Sequence, residues 1–319
     1  MKGGLLALVV LATWTQAAVA PVPAAEPAPG PVIPGELDLP DGDETFAAAR
    51  QAYAAATTEE EALRALATLV NLHRRRGDYA EGLAEGRDGL ERARALGSVP
   101  LQVEFLYLLG RMYWNLTDYP RSLELHLDEL KLSEQTQDPF LLARTHGGLG
   151  LTYQRFGRDE DALHHFRLGL EHAARSPDGR MRASLLNSLG NYHLGRRDFA
   201  EAAALYGEAL RIRESYGNAR AIAETLTNLG LAADGQGDHA RALDHLQRAL
   251  VTFEALKYRR YIANTHRRLG RVLRNAGRLD DSLASLARAE QVAQTLDSSE
   301  VMADIWLEYA LTHEARGDY

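Results

Sequence analysis

The chain of 319 residues contains no cysteine, which excludes disulfides, thiolate metal sites and a lipid-bearing cysteine at a processing point. Charge of neither sign dominates. Thirty-six Lys and Arg face 44 Asp and Glu, a formal charge of −8, so nothing favours a nucleic-acid or anionic-membrane partner. Long apolar runs are missing as well, for the stretch at residues 5–12 is far shorter than the ~20 residues of a spanning helix. Nothing reads as a strand, and no glycine-rich phosphate loop follows one. His164 and His165 adjoin no His-Glu-x-x-His run or carboxylate cluster, so neither a metal nor a cofactor is expected. No Ser or Lys nucleophile stands apart, and Asp280 and Asp281 sit where helix caps belong. The chain is therefore expected not to be an enzyme within these residues.

What is present is a period. Leu-Gly pairs recur every forty residues, at Leu109-Gly110, Leu149-Gly150, Leu189-Gly190, Leu229-Gly230 and Leu269-Gly270. Recurrence at constant lag marks a tandem array, in which each unit packs only on its neighbours and total length sets no limit on a shared core.

Two segments precede the array. Residues 1–20 carry Lys2, an apolar stretch and the small residues Ala18-Val19-Ala20, which read as a cleaved secretory signal. Residues 21–41 hold seven of the eleven prolines, and a fixed φ with no N–H predicts an extended, solvated spacer. A bacterial periplasm, or secretion, suits such a cysteine-free chain.

Within a unit, Ile222, Leu226, Leu229 and Ala233 fall on one helical face. Seven residues after each Leu-Gly glycine a second glycine is expected to close the helix in left-handed conformation, as at Gly157, Gly237 and Gly277, with Gly77 and Gly317 in phase and with Thr117 and Arg197 as exceptions. The Asp that follows (Asp78, Asp118, Asp198, Asp238, Asp318) is expected to cap the next helix. That helix repeats a large residue (Phe166, Tyr206, Leu246, Leu286) followed by a small one (Gly169, Ala209, Ala249, Ala289). Alternating sizes let neighbouring helices approach without voids. Stepping back in phase gives His126, then Gly86, then Phe46 with Ala49, so residues 43–56 read as half a repeat capping the array. Residues 57–319 then hold six helix pairs and a seventh first helix. Breaks between units keep the period, except that Lys257-Tyr258-Arg259 lacks a breaker and offers no obvious cap.

Leu-Gly, Tyr113 or Tyr153 three positions later, the Gly-Asp turn, then Ala162, Ala202 or Ala242 with a large residue four further on, resemble the tetratricopeptide repeat. The period exceeds the family's commonest thirty-four, as in its long-repeat branch, which includes bacterial sensor proteins. The resemblance covers about residues 43–319 and implies an all-α, right-handed superhelical solenoid of antiparallel helix pairs, with first helices lining a concave wall. On that implied wall lie Arg111 and Trp114, Gln154, Asn187 and Asn191, and Arg267, Arg271 and Arg274, the candidate partner-binding residues. A carboxamide can bond both edges of a peptide. The arginine stripe has two readings, a grip on carboxylates or phosphates, or pairing with acids of an adjacent helix such as Glu224 or Asp234. Trp114 and the two asparagines likewise divide between ligand contact and packing.

Two functions are expected of such an array. One is an exported, non-catalytic scaffold that binds a protein or peptide through its concave face. The other is the extracytoplasmic sensor region of a longer diguanylate cyclase or histidine kinase, tethered to a membrane through sequence beyond Tyr319, since the chain stops where a second helix should begin.

Overall fold

The computed structural model describes residues 43–296 and 298–318. The signal and spacer assigned to residues 1–41 lie outside them. Fourteen helices make up the described residues: α1 (Asp43–Ala55), α2 (Glu59–Arg76), α3 (Tyr79–Leu96), α4 (Val99–Asn115), α5 (Tyr119–Thr136), α6 (Pro139–Arg155), α7 (Asp159–Ala173), α8 (Arg180–Gly195), α9 (Phe199–Tyr216), α10 (Ala219–Gly235), α11 (His239–Ala255), α12 (Arg259–Asn275), α13 (Leu279–Ala293) and α14 (Ser299–Arg316). No strand occurs among the described residues. Each helix packs substantially only on the next or next-but-one, and the pairs stack into a right-handed superhelical solenoid.

The Leu-Gly pair has a steric cause. A Cβ on Gly150 would come within 2.7 Å of Phe166, one on Gly190 within 2.5 Å of Tyr206, and one on Gly270 within 2.8 Å of Leu286. Each large residue of a second helix thus lies on the bare backbone of its own first helix. Phe166, Tyr206, Leu246 and Leu286 are fully buried there, and each contributes roughly 2–3 kcal/mol of burial. His126 occupies the same place in α5, fully buried against Gly110 and Gly148. In the first pair the roles reverse, for Gly82, Gly86 and Gly89 of α3 receive Met112, Leu109 and Phe105 of α4. At the amino-terminal end, Ala49 of α1 packs with Leu69 and Leu72, and Phe46 meets the His73 ring edge-on at 4.7 Å.

The turns keep their backbone where the residue changes. Thr117 (φ 61°) and Arg197 (φ 66°) adopt the left-handed conformation of their glycine counterparts, at a cost of roughly 1–2 kcal/mol each. Lys257 (φ 59°) does so too and supplies the break before α12 that its sequence does not announce. The capping expectation needs correction in two repeats. Asp118 and Asp238 accept the amide N–H of Arg121 and Arg241, but Asp78 and Asp198 make no such bond. Their carboxylates instead face His73 at 3.5 Å and His193 at 3.4 Å, five residues earlier. An imidazole at that spacing competes for the oxygen that would otherwise cap the helix.

Candidate functional site: a basic hollow inside the superhelix

The superhelix coils tightly enough to enclose a hollow of about 1170 Å³. One wall comes from the carboxyl ends of α2 and α4, with Arg74, Arg75, Trp114 and Asn115, and from Tyr79 at the start of α3. The other comes from the starts of α8, α10, α12 and α14 and the ends of α9 and α11. It carries Arg180, Arg213, Arg220, Lys257, Arg259 and Arg260, against the acids Glu224 and Glu300. Helix starts and helix ends both face this wall, so their macrodipoles largely offset and the side chains set the sign. That sign is positive, inside a chain whose net charge is −8.

Several of these cations are held in place. Arg180 forks onto Asp178, Arg220 reaches Glu224 at 3.0 Å and Tyr261 at 3.1 Å, and Arg213 donates to the Ala221 carbonyl at 2.9 Å. Arg74 donates to the Asn71 side-chain oxygen at 2.8 Å, and burial, then the Arg111 charge, hold its pKa down to about 10. Lys257 and Arg259 are exposed and make no ion pair with any described residue. Tyr216, Tyr258 and Tyr261 add aromatic surface to the wall opposite Trp114.

A second pocket, of about 320 Å³, shares Glu224, Tyr261 and Asn264 with the hollow and adds Asn187, Thr227, Asn228, Phe253, Thr265 and Arg268. Of the eight residues chosen from sequence, Trp114 lines the hollow and Asn187 this smaller pocket. Arg111, Gln154, Asn191, Arg267, Arg271 and Arg274 line neither. Asn191 accepts the Tyr206 hydroxyl at 2.7 Å, while Asn187 accepts from Asn228 of the next repeat at 3.1 Å. The arginine stripe meets acids on both sides: Arg267 lies 3.3 Å from Asp304, Arg274 lies 3.1 Å from the buried Glu308, and Arg271 lies 3.8 Å from Asp234. In this structure the stripe is therefore paired with acids of the neighbouring helices. Arg111 stacks between the Tyr107 and Trp114 rings, with its guanidinium carbon about 6 Å from each.

Sequence reasoning missed most of the cationic wall, although one signal was available. Arg180, Arg220 and Arg260 recur at the same forty-residue lag as the Leu-Gly pairs.

His164 and His165 belong to a different feature, on α6 and α7. His146 and His165 share a hydrogen bond of 3.0 Å between their Nδ1 atoms, and His172 stacks on His146 at 5.6 Å. His165 also lies flat on Tyr153 at 5.2 Å. No group of three or more potential metal ligands occurs among the described residues. Burial, then the neighbouring imidazoles, hold His146 down to about 4. Since an unfolded histidine titrates near 6.5, the unfolded chain takes up the proton first. The stabilisation is complete above pH ~6.5 and is lost as pH falls toward ~4, by on the order of 2 kcal/mol. Thermal melting is therefore expected to fall several degrees from neutral to pH ~4.5, and His146→Gln to flatten that slope. An unaltered slope in the variant would remove His146 as the cause.

Comparison with known proteins agrees with this geometry. Residues 101–175 and 181–255 match the tetratricopeptide-repeat family model. No curated protein matches the chain. Among solved structures it is similar to BtubC from P. vanneervenii, with 24% identity over 70% of this chain and 93% of that one and a TM-score of 0.61. A signal-transduction ATPase with numerous domains and a tetratricopeptide repeat sensor, from Pyrococcus horikoshii, matches at 14% identity over 86% of this chain and 41% of that one, TM-score 0.65. The apo form of the quorum sensor NprR from B. thuringiensis matches at 13% identity over 85% of this chain and 75% of that one, TM-score 0.59. At such identities the likeness is one of fold. With glycine-backed helix pairs, left-handed turns in step and two matching stretches, residues 101–175 and 181–255 are tetratricopeptide repeats, and the described residues as a whole share that family's solenoid fold.

Proposed function

We propose that this protein is an exported, non-catalytic scaffold that holds a peptide, or an extended segment of a protein, in the hollow of its superhelix. The observation that carries the reading is the hollow itself. It has room for several residues of extended chain, aromatic surface on both walls, and fixed polar groups along the helix ends. Two of the similar structures are described as sensors, which fits an array that takes up a ligand. Export rests on the leader-like residues 1–20.

Photo-crosslinking tests the site without assuming a ligand charge. A benzophenone side chain in place of Ser184, on the hollow wall, is expected to capture members of a tagged peptide pool. The same group in place of Glu171, an exposed residue outside the hollow, is expected to capture few. Equal capture from both positions would remove the hollow as the site.

A second reading makes the array the sensor region of a longer membrane-bound cyclase or kinase. It is favoured by the terminal helix α14, which leaves Trp306 and Leu307 more than half exposed, an apolar surface suited to a following element. Reading the gene past the codon for Tyr319 tests it. A spanning segment followed by a catalytic domain supports the sensor, and an immediate stop codon rejects it.

A further inference from the structure

Arg268 of α12 stands out among the cations of the superhelix because its neighbours have taken the available acids. Asp304 and Glu308 of α14 serve Arg267 and Arg274, and Asp234 of α10 faces Arg271. Glu224, on the wall of the same pocket, is already held by Arg220 at 3.0 Å. Arg268 forms no ion pair with any described carboxylate. Burial, then the charges of Arg267 and Arg271, hold its pKa down to about 10 against smaller opposing contributions from Tyr206 and Asp304, as expected of a desolvated cation whose surroundings are on balance positive. It lines the 320 Å³ pocket beside Asn264, whose carboxamide makes no hydrogen bond among the described residues, and Asn187, whose oxygen is taken by Asn228 while its N–H₂ group is not.

A partly buried cation without an ion-pair partner of its own, next to unused carboxamide donors and in a pocket continuous with a basic hollow, is complementary to an anionic group that arrives from outside. We propose that the ligand of the hollow is an acidic peptide, and that one of its Asp or Glu side chains enters the smaller pocket to pair with Arg268 while Asn187 and Asn264 bond the adjacent peptide backbone. This rests on the reading of the hollow as a peptide site and adds the ligand's charge and its anchor. Lys257 and Arg259, on the wall of the adjoining hollow, carry further positive charge for the remaining carboxylates. A nucleic acid fits less well, because a long polyanion would meet a net-negative surface wherever it left the hollow.

An array of random peptides about fifteen residues long, probed with the intact labelled protein, tests the charge. The bound set is expected to be rich in Asp and Glu, and binding to weaken about tenfold between ~0.05 and ~0.3 M salt. Arg268→Gln tests the anchor: it is expected to weaken the acidic peptides about tenfold while the melting temperature holds or rises, since it removes a cation with no partner. Arg268→Lys, which keeps the charge but loses the planar fork, is expected to fall between. Several results overturn the proposal. A bound set that is basic or indifferent to charge removes the acidic ligand but leaves the hollow as a peptide site. Unchanged binding by Arg268→Gln, or a melting temperature that drops as for a core truncation, removes Arg268 as the anchor. Equal displacement of bound peptide by a single-stranded oligonucleotide of similar length removes the peptide. The hollow reading itself fails if no peptide of any charge binds, or if position 184 captures no more than position 171.

Discussion

Replacing Arg144 by Met is expected to destabilise the protein by about 3–5 kcal/mol, although Met fills a comparable volume and is a good helix former. Arg144 of α6 is 2% exposed and ion-paired with Glu104 of α4, with Glu129 of α5 at 3.8 Å. Its guanidinium also lies 4.2 Å from the centre of the Tyr107 ring. Burial alone would pull its pKa down, but Glu104 and Glu129 outweigh that and raise it. Glu129 is fully buried and accepts from Thr145 at 2.8 Å, and His126 shares a 2.8 Å bond with its other oxygen. Without the guanidinium, two carboxylates remain between three helices with no cation between them, and the cost comes from that stranded charge more than from the lost pair. Urea unfolding followed by circular dichroism measures it. Adding Glu104→Gln and Glu129→Gln to the Met variant is expected to recover most of the loss, because the remaining groups are then neutral. A loss under about 1 kcal/mol in the single variant would mean that the guanidinium is not what keeps these carboxylates tolerable between the helices.

How far such features could be read from sequence depends on whether they repeat. The Leu-Gly pair was legible because each glycine answers a large residue in its own unit, and both keep the forty-residue lag. His126 broke that lag in type while keeping its place, since the buried glutamate that accommodates an imidazole there, Glu129, belongs to one repeat alone. The turns at Thr117, Arg197 and Lys257 were harder still, because tertiary packing imposes a left-handed backbone that the residue itself disfavours. For the pockets, a helix-face projection picked Trp114 and Asn187, which line the hollow and the smaller pocket. It also chose Arg267, Arg271 and Arg274, whose acidic partners lie on α10 and α14 and cannot be assigned from one helix. The hollow escaped because its residues sit at helix ends. Arg74 and Arg260 share a cavity only through the coil of the whole array, and the angle between successive pairs is a packing outcome that no single unit encodes.

That angle is what a substitution at Gly150 should disturb. Gly150→Ala is expected to cost about 1–3 kcal/mol, even though alanine in a helix interior is favoured over glycine by roughly 1 kcal/mol. The added methyl would lie 2.7 Å from two ring carbons of Phe166, which is fully buried and has no room to withdraw. Gly195, near the end of α8, provides the control. A Cβ there meets nothing within 4 Å, so Gly195→Ala is expected to stabilise by about 0.4–1 kcal/mol. Phe166→Ala alone should cost about 3–5 kcal/mol as a cavity. Combined with Gly150→Ala it should cost less than the sum, by about 1–2 kcal/mol, since the new methyl then enters vacated space. Additive losses would show that the glycine is kept for some reason other than contact with Phe166. The consequence reaches the site. If α7 shifts on α6 to admit the methyl, the change in angle carries through every later pair, and the wall bearing Arg220 and Arg260 moves relative to the one bearing Arg74 and Trp114. Gly150→Ala should therefore weaken capture from position 184 in protein that remains folded, while Gly195→Ala leaves capture unchanged.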